Sequence, residues 1–191
     1  DEVIEKYLSL VETTRVCPEL DLSDLNVVYT PLHGAGNKPV RAILKRVGVK
    51  NVNVVPEQEL PDGNFPTAPY PNPEIRQAFE CALKLAEKVN PDLLLATDPD
   101  SDRVGIAIPD GGEYKLLTGN DVGALMLNFM LERRTANGTL PKNPVAVKTI
   151  VSTELCSKIA ADYGCDLKNV LTGFKFIGEQ IFLLEEKGEE N

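Results

Sequence analysis

The chain has no basic stripe. Its 191 residues carry 20 Lys and Arg against 29 Asp and Glu, a net charge of −9. Without clustered cations nothing can neutralise a phosphate backbone, so nucleic acid is excluded as a partner. No apolar run approaches the ~20 residues that span a bilayer, so no membrane partner is expected. The opening Asp1-Glu2 is acidic where a secretory signal is basic, and no such signal is expected. The four cysteines (Cys17, Cys81, Cys156, Cys165) form no C-x-x-C pair. They read as reduced thiols of a cytoplasmic protein. No G-x-G-x-x-G fingerprint, internal repeat or low-complexity run is present, and His33 is the single histidine. The chain does not open on methionine and is expected to be a piece of a longer one.

The pattern of what is present is α/β. An apolar fraction of 42% is ordinary for a globular protein. Strands are expected at 26–30, 51–55, 93–97, 104–108, 114–117, 145–149 and 167–171. Helical spacing joins Val3, Ile4, Tyr7, Leu8 and Val11, then Val40, Ile43, Leu44 and Val47. Asn37 is the expected cap of that second helix. A third starts at Asn72-Pro73 and turns Ile75, Phe79, Ala82, Leu83 and Ala86 inward. Asp110-Gly111-Gly112 is a hairpin turn. A fourth helix begins at Thr118-Gly119-Asn120-Asp121 and presents Val122, Leu125, Met126, Phe129 and Met130 as its buried stripe. Ser152 or Thr153 caps a fifth, and a last helix follows a tight turn at 172–178. The tail from 185 to 191 reads as a solvated end.

Chemistry concentrates where the 93–97 strand ends. Leu93-Leu94-Leu95-Ala96-Thr97 leads into Asp98-Pro99-Asp100-Ser101-Asp102-Arg103. In extended chain the alternate positions Asp98, Asp100 and Asp102 fall on one side. Three crowded carboxylates repel unless a hard cation neutralises them, which points to Mg²⁺. Arg103 beside that metal suits a phosphoryl group. An EF-hand needs Gly at its sixth position and Glu at its twelfth. Those places hold Arg103 and Pro109, so that reading fails.

Three weaker signals accompany the aspartates. Residues 30–38 place a Gly-containing turn between a strand and a helix, where backbone N–H groups could meet a phosphate. His33 lies in that turn, either bonded locally or near the active centre. Lys148 ends an apolar strand; it is either an ordinary strand-end lysine or one directed into a cleft for proton transfer or phosphate binding. Lys175 is expected to project from the Gly-bracketed turn at Thr172-Gly173-Phe174-Lys175-Phe176-Ile177-Gly178.

Together these segments resemble the α-D-phosphohexomutase superfamily, of bacterial phosphoglucomutase and phosphomannomutase type. The resemblance rests on T-P-L-H-G-A-G-N-K at 30–38, Y-P-N-P-E at 70–74, T-D-P-D-S-D-R at 97–103, T-G-N-D-V-G-A at 118–124, K-T-I-V-S at 148–152 and T-G-F-K-F-I-G at 172–178. It implies two mixed α/β/α sandwich domains in tandem. Residues 1–112 would be domain 2, and 113–191 an incomplete domain 3. It further implies Asp98, Asp100 and Asp102 as Mg²⁺ ligands and Arg103 at the phosphoryl group. Lys148 would assist proton transfer, and Thr172, Gly173, Lys175 and His33 would face the substrate. The implied substrates are hexose phosphates: glucose 1-phosphate, glucose 6-phosphate and glucose 1,6-bisphosphate. Family chemistry starts from a phosphoserine in a S-H-N loop, and no serine here is followed by His-Asn. Domains 1 and 4 would thus be the partners of this piece, which alone is expected to be inactive. The alternatives are an aspartyl-phosphate phosphatase, with Asp98 as nucleophile, and a non-catalytic cation- or phosphate-binding module.

Overall fold

The computed structural model describes residues 2–188. They form two compact units that divide between Gly119 and Asn120. The expected solvated tail falls partly on residues 189–191, outside the described residues.

The first unit contains α1 (Glu2–Glu12), β1 (Asn26–Thr30), α2 (Asn37–Arg46), β2 (Asn51–Val54), α3 (Glu80–Val89), β3 (Leu93–Thr97), β4 (Val104–Asp110) and β5 (Glu113–Leu117). Its sheet runs β2-β1-β3-β4-β5. β1 pairs in parallel with β2 and β3, with Val28 opposite Asn53 and Leu94. β4 returns antiparallel, and β5 closes a hairpin through Gly111 and Gly112, both at positive φ. β1 is buried almost throughout, as a parallel strand covered on both faces must be. Val28, Leu94, Ala96 and Ala107 of the sheet pack with Phe79, Ala82 and Ala86 from the α3 segment. This core fixes the carboxyl end of β3, where the aspartates emerge.

The second unit contains most of α4 (Gly119–Ala136), then β6 (Val145–Thr149), α5 (Leu155–Asp162), β7 (Asp166–Val170) and α6 (Phe174–Glu186). β6 and β7 are parallel, joined through α5, with Lys148 opposite Asn169. Leu131, Ala160 and Cys165 form its core, with Leu127, Ala146, Ile159 and Leu167 packed around them.

Several local expectations are corrected. Asn37 does not cap α2: Gly36 holds that position, and the Asn37 amide donates instead to the Glu59 carbonyl at 2.8 Å. The Asn72-Pro73 segment does not begin a helix. A 3-10 turn over Arg76–Phe79 precedes α3, and the Asn72 side chain accepts the Glu74 N–H in a local turn. In α4 the buried residues are Val122, Ala124 and Leu131, while Leu125, Met126 and Phe129 are exposed. Apolar residues lie all round this helix, so periodicity selected the wrong face. Residues 174–178 are already helical, so Lys175 stands in the first turn of α6 rather than in a loop. All four cysteines are free thiols. Among the described residues no helix is long and apolar enough to cross a membrane.

Candidate functional site

The aspartate loop converges by turning, not by staying extended. Ser101 N–H donates to the Asp98 carbonyl at 3.0 Å, and Ser101 sits in the left-handed region at φ 63°. The turn brings one carboxylate oxygen each from Asp98, Asp100 and Asp102 within 4.8 Å of one another. Asp98 is fully buried, whereas Asp100 and Asp102 face solvent. Three hard oxygen donors, with no sulfur or imidazole among them, are the set Mg²⁺ selects. Small side-chain rotations bring oxygens that lie within 4.8 Å of one another under the roughly 4.2 Å limit that two opposed Mg–O bonds set. The residues present therefore fit the ion.

Arg103 closes the loop. Its backbone N–H donates to Asp98 Oδ1 at 3.0 Å and its Nε to Oδ2 at 2.8 Å; Asp102 Oδ1 lies 3.6 Å from the same Nε. Burial pushes the Asp98 carboxyl up, but the two hydrogen bonds from Arg103 overcome this and hold it below the usual carboxylate range. Hydrogen bonding to Asp98 pushes Asp102 the other way, above its ordinary value. With both oxygens engaged by Arg103, Asp98 is poorly placed as a free nucleophile. Its geometry suits a fixed ligand, and the aspartyl-phosphate alternative gains nothing from it.

The loop at 30–38 proves to be a brace. Ala35 N–H donates to the Pro99 carbonyl at 2.8 Å. The N–H groups of Leu32, His33 and Gly34 are taken by Thr30 Oγ1, Gln58 O and Pro31 O. These three amides are therefore not free for a phosphate. A Cβ at Gly36 would lie 2.5 Å from Ser101 Oγ and 2.8 Å from Thr97 Oγ1. Thr97 shares a 2.8 Å hydrogen bond with the buried Tyr29 hydroxyl. His33 is 6% exposed; its Nδ1 donates to the Leu60 carbonyl and its Nε2 lies against Thr67 Oγ1, each at 3.0 Å. Both ring nitrogens are occupied, which corrects the expectation of direct substrate contact: the geometry makes His33 part of the brace.

In the second unit Lys148 is buried at the end of β6. Its Nζ donates to Glu154 Oε1 at 2.8 Å and to the Ser152 carbonyl at 3.2 Å. Thr172 is exposed, and Gly173 has φ 132°, a conformation only glycine adopts readily. Lys175 Nζ lies 4.9 Å over the Phe176 ring. Sequence reasoning missed Tyr29, Thr97 and Glu154. The glycines at 34 and 36 were visible, but their role as contact points was not.

Known proteins bear on these features directly. Residues 5–112 match the family model described as phosphoglucomutase/phosphomannomutase, alpha/beta/alpha domain II, and residues 118–188 match domain III of the same family. A probable phosphomannomutase of Haemophilus influenzae is 36% identical over 186 residues, covering 96% of this chain and 36% of that protein. A phosphoglucomutase of Staphylococcus aureus is 40% identical over 165 residues, covering 86% of this chain and 29% of that protein. The chain thus spans about a third of the length of these relatives. A phosphoglucomutase/phosphomannomutase family protein from Burkholderia thailandensis shares the fold, with a TM-score of 0.71 at 18% identity over 97% of this chain and 36% of that one. So does an Aspergillus fumigatus N-acetylphosphoglucosamine mutase solved with GlcNAc-6P and magnesium, with a TM-score of 0.59 at 17% identity over 89% of this chain and 35% of that one. The chain belongs to the phosphoglucomutase/phosphomannomutase family, as its tandem α/β/α domains II and III.

Proposed function

We propose that this chain is the metal-binding and sugar-facing middle of a cytoplasmic phosphohexomutase that interconverts glucose 1-phosphate and glucose 6-phosphate through glucose 1,6-bisphosphate. Its two domains divide after β5, between Gly119 and Asn120, rather than near residue 112. A phosphoserine outside this chain would donate the phosphoryl group. Asp98, Asp100 and Asp102 would hold Mg²⁺, which when bound supplies positive charge to offset that of the transferring group. Arg103 keeps Asp98 ionised and oriented, and its guanidinium offers donors to the equatorial phosphoryl oxygens. Lys148 handles the proton at the sugar hydroxyl. Thr172, Gly173 and Lys175 bind the sugar phosphate, Lys175 by its charge. His33 acts through the brace beneath Pro99.

The observation that carries this reading is the convergence of three carboxylate oxygens within 4.8 Å, closed by Arg103. Magnesium named with the Aspergillus mutase supports it. The test is a mutase assay on a protein that carries this chain at the full length of its relatives. Asp100→Asn should lower turnover at least about 100-fold, the scale of losing one electrostatic stabiliser. Turnover within a few-fold of wild type would overturn the metal role.

A further inference from the structure

Lys148 and Glu154 form a pair that the family motif does not account for. The Lys148 side chain is 6% exposed and that of Glu154 is 73% exposed. Six residues separate them, across the turn from β6 into α5, and the contact is made at 2.8 Å. Glu154 is itself pinned: its second oxygen accepts the Ser157 hydroxyl at 2.9 Å, and it occupies the cap position of α5. The hydrogen bond from Lys148, then that from Ser157, holds its carboxyl below the usual range. An ammonium has three donors. Glu154 and the Ser152 carbonyl take two of them. One donor is left for a ligand, and the other two fix its direction.

A carboxylate fixed on one side of a buried ammonium sets the direction of its remaining donors. Resting on the reading above, we infer that Glu154 is the positioning residue for Lys148, holding its ammonium directed so that its remaining N–H meets the sugar-phosphate oxygen. Glu154 itself touches no substrate. Lys148 thereby gives a hydrogen bond to the reacting oxygen, and a proton to the sugar oxygen when that oxygen leaves the phosphoryl group.

The first test uses this chain alone. Acylation of lysines by an amine-reactive ester is followed residue by residue by peptide mass spectrometry, with Lys168 as internal reference. Glu154→Gln should raise the labelling rate of Lys148 about fivefold or more, because the amine is no longer held by its charged partner. Glu154→Asp, which keeps the charge on a shorter arm, should restore part of the protection. An unchanged Lys148 rate in Glu154→Gln overturns the proposal, whatever the activity.

The second test uses a protein of the relatives' full length. Glu154→Gln should lower kcat about tenfold with little change in KM, the pattern of a contact made in the transition state. In a Lys148→Met background the same change should add nothing, since the two act as one unit. An effect of Glu154→Gln that persists undiminished without Lys148 marks a merely structural role and overturns the inference. A wild-type protein with no mutase activity defeats the reading of function instead, and leaves the labelling result standing.

Discussion

Gly34 lies against Pro99 so closely that a Cβ on it would be 2.4 Å from the proline Cα and 2.6 Å from its carbonyl oxygen. Both are backbone atoms, as is the Pro31 oxygen at 2.8 Å, so no side chain can swing aside. Pro99 separates two of the candidate metal ligands. Gly34→Ala must therefore push the aspartate loop outward or distort β1 behind it. Overpacking of this kind costs about 1–3 kcal/mol. We expect that loss in urea denaturation, with a weakening of Mg²⁺ binding of about tenfold in calorimetric titration. Wild-type metal affinity in a stably folded Gly34→Ala protein would show that the brace does not shape the site.

The metal site can also be read through stability. A ligand that binds only the folded state stabilises it by RT ln(1 + [L]/Kd), about 2.7 kcal/mol at a hundredfold excess over Kd. Saturating Mg²⁺ should thus raise the melting temperature of this chain. Asp100→Asn should abolish most of that rise. Asp100 is exposed, so the substitution should leave the metal-free stability within about 0.5 kcal/mol of wild type. Equal Mg²⁺ responses in the two proteins would remove Asp100 from the ligand set.

What the sequence disclosed and what it hid follow from the range of the interactions. β1 and β3 were legible because both are short apolar runs bounded by breakers, and a strand covered on both faces needs only local composition to be recognised. The aspartate loop was legible because its ligands are neighbours in sequence. The Tyr29–Thr97 bond was not, since 68 residues separate the partners and only the parallel pairing of β1 with β3 unites them. Glu154 escaped because Lys148 lies at the end of β6 and Glu154 caps α5, so no single periodicity joins them; the turn between the two elements creates the contact. The exposed stripe of α4 shows the converse failure. Leu125, Met126 and Phe129 have helical spacing, but spacing cannot say which of several apolar faces is covered.

Tyr29 provides a test of the brace that needs no metal. Its side chain is fully buried, and burial pushes the phenol up to about 12, against the opposing pull of the Thr97 hydrogen bond and the Arg41 charge. An unfolded tyrosine titrates near pH 10. Between about pH 10 and 12 the unfolded chain has released this proton while the folded chain still holds it. Stability then falls as pH rises, because the folded state binds more protons. Tyr29 contributes in full below about pH 10, and its contribution is lost as pH climbs through the folded value. Tyr29→Phe should therefore flatten the decline of urea stability between about pH 10 and 12 relative to wild type. At neutral pH the same variant leaves the buried Thr97 hydroxyl without this partner, which costs about 1–2 kcal/mol. A wild type and a variant whose stabilities decline in parallel across the alkaline range would mean that the phenol is open to solvent, and that β1 does not grip the aspartate loop through Thr97.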